Sequence, residues 1–216
     1  MKIILRSDFI DYYDAYFDTL KKPEVHHTFH RSSKDRTARM DLFSYMSEQL
    51  KLLTPLHGTV REVSERVRLN MENKHVVVYT NEYAHRGDGK ERVGLKTALK
   101  RHPNRHCSLY MQPDDGTISY RFLSIGVSLK YLMSYKSNHA WKSNVGNVEI
   151  NLLENPPDIK SYHYPMFAID FVISRGLPYA VDFNSAPSLA GTPIEKVLKP
   201  QTIVEEIRTW MMASMS

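Results

Sequence analysis

The chain has 216 residues, 42% of them hydrophobic and 25% charged, with a formal net charge of +5 and a pI near 9.1. That balance suits one soluble globular domain or two small lobes and excludes a fibrous, low-complexity or disordered chain, while the basic excess favours anionic partners. One cysteine, Cys107, excludes an intramolecular disulfide, and no apolar run approaches a membrane span.

In chain order, KIILR (2–6) reads as a short strand and the Tyr/Phe-rich stretch after it, up to Leu20, as an amphipathic helix. The apolar run near the start is too short for a secretory signal, so a reducing, cytoplasmic location is expected. VHHTFH (25–30) predicts a second strand. Met40, Phe43, Met46, Leu50 and Leu53 recur at three- and four-residue spacing and predict a helix over 38–53, which Pro55 and Gly58 break. VREVSERVRLNM predicts a short helix, HVVVYT (75–80) a strand, HRGDGK (85–90) a loop and VGLKTALKRH a helix. From Cys107 the pattern turns to β. CSLYMQ, SYRFLSIG and SLKYLMSY read as strands, the last two joined at a Gly-Val turn, and MFAIDFVI and YAVDFN as a further hairpin. QTIVEEIRTWMMA predicts a closing helix. Strands mixed with helices and an antiparallel cluster in the second half make the expected class α+β.

The last hairpin raises a chemical question. If it is symmetric about Gly176, Asp170 faces Asp182 and Val172 faces Ala180. Alternation then gathers Phe167, Ile169, Phe171 and Ile173 with Tyr179, Val181 and Phe183 on an apolar face. The opposite face carries Ala168, Asp170, Ala180, Asp182 and Asn184. Like charges opposed in a sheet are destabilising, and a hard divalent cation with oxygen ligands would compensate them. A hairpin with one solvated face would also carry acids there, and a one-residue shift in the turn would dissolve the pairing. Without a metal, Asp182→Asn is expected on this reading to raise stability.

AIDFVISRGLPYAVDFNSAPSLAG resembles the C-terminal metal-binding hairpin of the ATP-grasp superfamily, most closely that of its RimK-like and tubulin-tyrosine-ligase-like carboxylate–amine ligases. The resemblance implies that Asp170, Asp182 and Asn184 hold Mg²⁺, or alternatively Mn²⁺, with ATP. SYRFLSIGVSLKYLMSYKSNHAWKSNVGN is similar to the family's preceding hairpin: Arg121 matches its first arginine, Lys142 stands where an arginine is usual, and Asn144 and Gly146 match the rest. CSLYMQ resembles the strand entering the inter-lobe hinge, which assigns adenine contacts to Tyr110, Met111 and Gln112. LKLLTPLHGT resembles the helix end that introduces the ATP-grasp lobe. The implied organisation is a short N-terminal region over 1–54, a first lobe over 55–110 and a metal- and nucleotide-binding lobe over 111–216.

Two departures stand out. HVVVYT ends in Tyr79 and Thr80 where the family places a lysine; Lys90, with Arg86, Gly87 and Gly89 in HRGDGK, is the expected substitute over the phosphates. The region before residue 54 is also short for the family's first lobe. The implied activity is an ADP-releasing carboxylate–amine ligation through an acyl phosphate, with Arg121, Lys142 and Lys90 neutralising charge. The expected partners are ATP, a carboxylate and an amine. Rival readings are a nucleotide-binding module without turnover and a basic nucleic-acid-binding protein. HRGDGK lacks the Walker A spacing, HHTFH lacks a cysteine or acidic partner for zinc, and Cys107 reads as a core residue.

Overall fold

The structure, a computed structural model, describes residues 3–5, 29–31, 39–67, 73–81, 89–138, 141, 147–160, 164–184, 187, 189 and 191–213. The expected helix before Leu20, the histidines of HHTF, most of HRGDGK, and Lys142, Asn144 and Gly146 lie outside the described residues. Short strands β1 (Ile3–Leu5) and β2 (Phe29–Arg31) pair in parallel.

Two antiparallel sheets form the body, and the architecture is α+β. The smaller has four strands in the order β3-β6-β4-β5: β3 (His57–Thr59), β4 (His75–Tyr79), β5 (Lys90–Gly94) and β6 (His106–Leu109). Helices α2 (Val60–Arg66) and α3 (Leu95–Arg101) cover it, burying Val60, Val63, Leu95 and Ala98 against Val76, Val78 and Cys107. Helix α2 starts where it does because Thr59 and Glu62 cap each other's backbone N–H groups at 3.2 and 2.7 Å.

The larger sheet has the order β11-β10-β7-β8-β9, built from β7 (Ile118–Ile125), β8 (Leu129–Ser137), β9 (Val148–Leu153), β10 (Met166–Ser174) and β11 (Leu177–Asn184). Alternation gives it two faces. Leu123, Ile125, Met133, Met166 and Ala168 pack under α4 (Pro193–Val197) and α5 (Pro200–Ala213), against Ile194, Ile203, Ile207 and Trp210. Phe122, Phe167, Ile169, Phe171, Ala180 and Phe183 face the other way, onto Phe43, Met46 and Tyr79.

Several expectations need correction. The helix over 38–53 is α-helical only at α1 (Arg39–Ser44), then widens into a π turn (Tyr45–Gln49) and stops where Lys51 takes a φ of 56°. Phe43 and Met46 are buried, while Met40, at the start of the helix, and Leu53, beyond its end, are exposed. Lys90 does not belong to a loop: it opens β5, which displaces the start of the following helix to Leu95. The polar KERVG hides that strand, and β9 and the five-residue α4 were not anticipated either.

The final hairpin is asymmetric. Arg175 and Gly176 form a two-residue turn with φ of 55° and 72°, the left-handed pair that matches strand twist. That turn places Val172 opposite Tyr179 and Phe171 opposite Ala180, so Val172 does not face Ala180. A bulge then inserts Val181, after which Asp170 does face Asp182. Ala180 consequently joins the apolar face rather than the acidic one, and its N–H donates to the Leu53 carbonyl at 2.8 Å.

Candidate active site

The acidic pair sits in a row across three strands. Register places Arg121 of β7 opposite Asp170 of β10, and Asp170 opposite Asp182 of β11. Arg121 donates from Nε to Asp170 Oδ1 at 2.7 Å and from its terminal nitrogen to Oδ2 at 2.9 Å, a two-pronged clamp. Its guanidinium lies 5.1 Å from the ring centre of Tyr135. Burial opposes the guanidinium's charge, but the Asp170 carboxylate more than offsets it and holds the Arg121 pKa above its ordinary value. Burial likewise raises the Tyr135 phenol, with Asp170 pushing in the same direction and Arg121 opposing.

Lys90 completes the row from the other sheet. It stands opposite Tyr79 at the end of β4, with its Nζ 5.7 Å from that ring, and it donates to Asp182 Oδ2 at 2.8 Å. Asp182 Oδ1 also accepts the Phe183 N–H at 3.0 Å. The repulsion between opposed acids is thus met by Arg121 and Lys90, two protein cations, and does not by itself require a metal.

Lys90, Asp170 and Asp182 face a cleft between the sheets, whereas Arg121 grips Asp170 without reaching the lining. Lys90, Asp170 and Asp182 form its charged end, Ser108 and Ser119 add hydroxyls, and Val77, Leu109, Val172 and Val181 make an apolar wall. The bulge turns Val181 toward the cleft beside Val172, completing that wall. Tyr110 and Met111 line the crossing between sheets, whereas Gln112 and Asn184 do not reach the lining. The Tyr110 N–H donates to the His75 carbonyl at 2.9 Å, and Arg92 stacks 4.7 Å from the Tyr110 ring centre.

Asp114 ties this crossing to the hairpin. Its carboxylate accepts the Arg175 and Gly176 N–H groups at 2.7 and 2.8 Å, and its own N–H donates to the Ile173 carbonyl at 2.8 Å. The Gly176 and Arg175 backbone donors hold its pKa below the usual carboxylate value. Gly89, with φ of 63°, accepts the Thr80 N–H at 2.9 Å and so closes the β4–β5 connection. Arg86, Gly87, Lys142 and Asn144 are outside the described residues. Tyr79, Trp141 and the valines of the wall were missed as lining residues; alternation in HVVVYT, which sets Val77 and Tyr79 on one face, was the available signal.

Among the described residues no group of three or more His, Cys, Asp or Glu side chains could hold a metal alone. The donor set still suits Mg²⁺, which takes one or two carboxylates and completes its shell with phosphate oxygens and water. Asp170 and Asp182 supply the carboxylates, and Asn184, two residues along β11 from Asp182, carries an amide oxygen. Among the described residues no helix is long and apolar enough to cross a membrane.

No protein-family model and no curated protein matches the chain. Solved structures do. The ligase PsnB, an ATP-grasp ligase complexed with a minimal precursor, superposes with a TM-score of 0.59 at 8% identity, covering 100% of this chain and 78% of that one. A RiPP-associated ATP-grasp ligase from Chryseobacterium gregarium, in complex with ADP and a leader and core peptide, gives 0.54 at 14% identity over 97% of this chain and 71% of that one. D-alanine–D-alanine ligase from Bacillus anthracis, complexed with ATP, gives 0.51 at 12% identity over 82% and 67%. Two antiparallel sheets that superpose on these ligases across most of the chain show that it has the ATP-grasp fold.

Proposed function

We propose that the chain is an ATP-dependent carboxylate–amine ligase that forms an amide through an acyl phosphate. The observation that carries this reading is the pair Asp170 and Asp182, backed by Arg121 and met by Lys90 from the facing sheet, on a cleft that also has an apolar wall. An apolar slot beside a cluster of cations and acids is what a nucleoside polyphosphate needs. Structural neighbours complexed with ATP or ADP support it.

The apolar wall and the backbone of Tyr110 and Met111 would hold the base, with Gln112 at the outer end of the crossing. Arg86, Gly87, Gly89 and Lys90 would approach the phosphates, and Lys142, with Asn144, would help neutralise them. Asp170, Asp182 and Asn184 would hold the cation, which when bound supplies charge neutralisation between the phosphate oxygens. Phosphoryl transfer depends mainly on positioning and charge. A substrate carboxylate oxygen attacks the γ-phosphorus and ADP leaves with the bridging oxygen. The amine nitrogen then attacks the acyl carbon, inorganic phosphate leaves and the ammonium proton is lost. Arg121, anchored by Asp170, would steady the oxyanion of that second step. Because two of the neighbours are complexed with a precursor or with leader and core peptides, peptide carboxylates belong in the first substrate panel alongside amino acids.

The test is ADP release with Mg-ATP, carboxylates and hydroxylamine. Hydroxamate formed in step with ADP supports the ligase. Tight Mg-ATP binding with no ADP from any carboxylate would favour a module without turnover, and no nucleotide binding would overturn both.

A further inference from the structure

The two cations of the site hold their carboxylates in different ways. Arg121 is a neighbour of Asp170 on the same sheet, grips both oxygens, and has its guanidinium packed on Tyr135. Lys90 belongs to the other sheet and reaches Asp182 as a point charge on a flexible four-carbon stem. The pair is partly buried, with 15% and 22% of the two side chains exposed, so solvent screens it only in part.

Among the described residues of this row, two carboxylates face two cations and the charges cancel. A bare dication competes with the Lys90 ammonium for Asp182 Oδ2. A polyphosphate arriving with the dication offers the displaced ammonium an anion within the same cleft that Lys90 lines.

We propose that Lys90 is an exchangeable counter-ion: it occupies Asp182 in the free protein and passes to the polyphosphate when the metal takes its place. Metal affinity is thereby made conditional on the nucleotide, and by linkage nucleotide affinity is raised equally by the metal. The proposal rests on the nucleotide-binding reading above, and it adds a coupling that the fold alone does not require.

Binding of Mn²⁺, followed by its free-ion electron paramagnetic resonance signal with and without ADP, tests it without turnover. The wild-type protein should bind Mn²⁺ weakly alone and much more tightly with ADP. Lys90→Met should bind Mn²⁺ alone about tenfold more tightly or better, the size of one partly buried charge interaction, while ADP enhances that binding less than in wild type. Lys90→Arg should keep the weak binary affinity. Unchanged or weaker Mn²⁺ binding by a folded Lys90→Met protein that still binds Mn²⁺ with ADP would overturn the exchange alone. Absence of Mn²⁺ binding even with ADP would overturn the nucleotide reading and the exchange with it. Should Lys90→Met not fold, acylation of the wild-type Lys90 amine gives a second readout. It should be slow in the free protein, faster at saturating Mn²⁺, and slow again with Mn²⁺ and ADP; a rate indifferent to Mn²⁺ would overturn the exchange.

Discussion

Asp182→Asn distinguishes the hairpin seen alone from the hairpin in its site. Considered as two opposed acids, Asp170 and Asp182 should repel, and neutralising one should stabilise the metal-free protein. The structure reverses the sign. Asp170 is already neutralised by Arg121, so little repulsion remains to relieve, whereas Asp182 is the partner of Lys90 at 2.8 Å. An asparagine can still accept from the ammonium, but it no longer balances the charge. A charge-assisted hydrogen bond contributes about 1.5–3 kcal/mol, and partial exposure of both groups reduces this to about 1–2 kcal/mol. For a chain of this length that corresponds to a fall of roughly 2–8 °C in melting temperature. Thermal unfolding in metal-free buffer at low and high salt is the assay; the wild-type advantage should shrink as salt rises. A variant that melts at or above the wild-type temperature at low salt would refute the reasoning.

Three further outcomes follow from other contacts. Gly126→Ala should cost about 3 kcal/mol or more by urea unfolding: at φ of 61° its Cβ would sit 2.4 Å from the Glu206 carbonyl oxygen of α5, adding left-handed strain to overpacking against a helix backbone. Cys107 is fully buried, and burial, with Glu62, pushes its thiol up to about 12. A thiol reagent at mildly alkaline pH should therefore label the native protein slowly, at a rate that climbs with urea through the unfolding transition. The His57 pKa is lowered, first by burial and then by Arg66, and its buried Nδ1 has no hydrogen-bond partner among the described residues. The folded state thus prefers the neutral ring, so the contribution of His57 is fully present above the ordinary pKa of 6.5 and is lost as pH falls through the lowered folded value. The urea midpoint of His57→Gln should vary less with pH on the acid side than that of the wild type.

How far the sequence discloses this molecule depends on the range of the interactions. Strands β4, β7, β8, β10 and β11 and helix α5 are legible because their apolar residues recur at periods of two or near 3.6 over many residues. The facing of Asp170 and Asp182 is legible from one hairpin. The bulge is not, since a left-handed two-residue turn at Arg175 and Gly176 and an extra Val181 shift the register in opposite directions and cancel at the acids. Strand β5 has too polar a sequence to announce itself, and edge strand β9 carries exposed Leu152 without a clear inner face. The partners of the acids are hidden for another reason. Arg121 meets Asp170 through a pairing of strands 49 residues apart, and Lys90 meets Asp182 across two sheets 92 residues apart. No local pattern encodes those distances.

The charged row also bears on why the chain keeps it. A partly buried ion pair seldom stabilises a fold more than well-packed apolar residues would, because desolvation offsets most of the Coulomb attraction. The same strands show that the apolar alternative was open. On the face that carries Asp170, β10 also places Ala168 and Met166, and beside Arg121 on β7 stand Leu123 and Ile125, all buried under α4 and α5. The charges appear where the sheet faces the cleft instead. Lys90 comes from the sheet opposite and brings its ammonium to this one carboxylate at the cleft. Asp114 meanwhile binds the inter-sheet crossing to the hairpin turn through three backbone contacts. Asp170 and Asp182 both belong to that braced hairpin, while Lys90 reaches Asp182 from the sheet opposite. One fixed pair beside one exchangeable pair is the arrangement expected where incoming charge must be both attracted and accommodated.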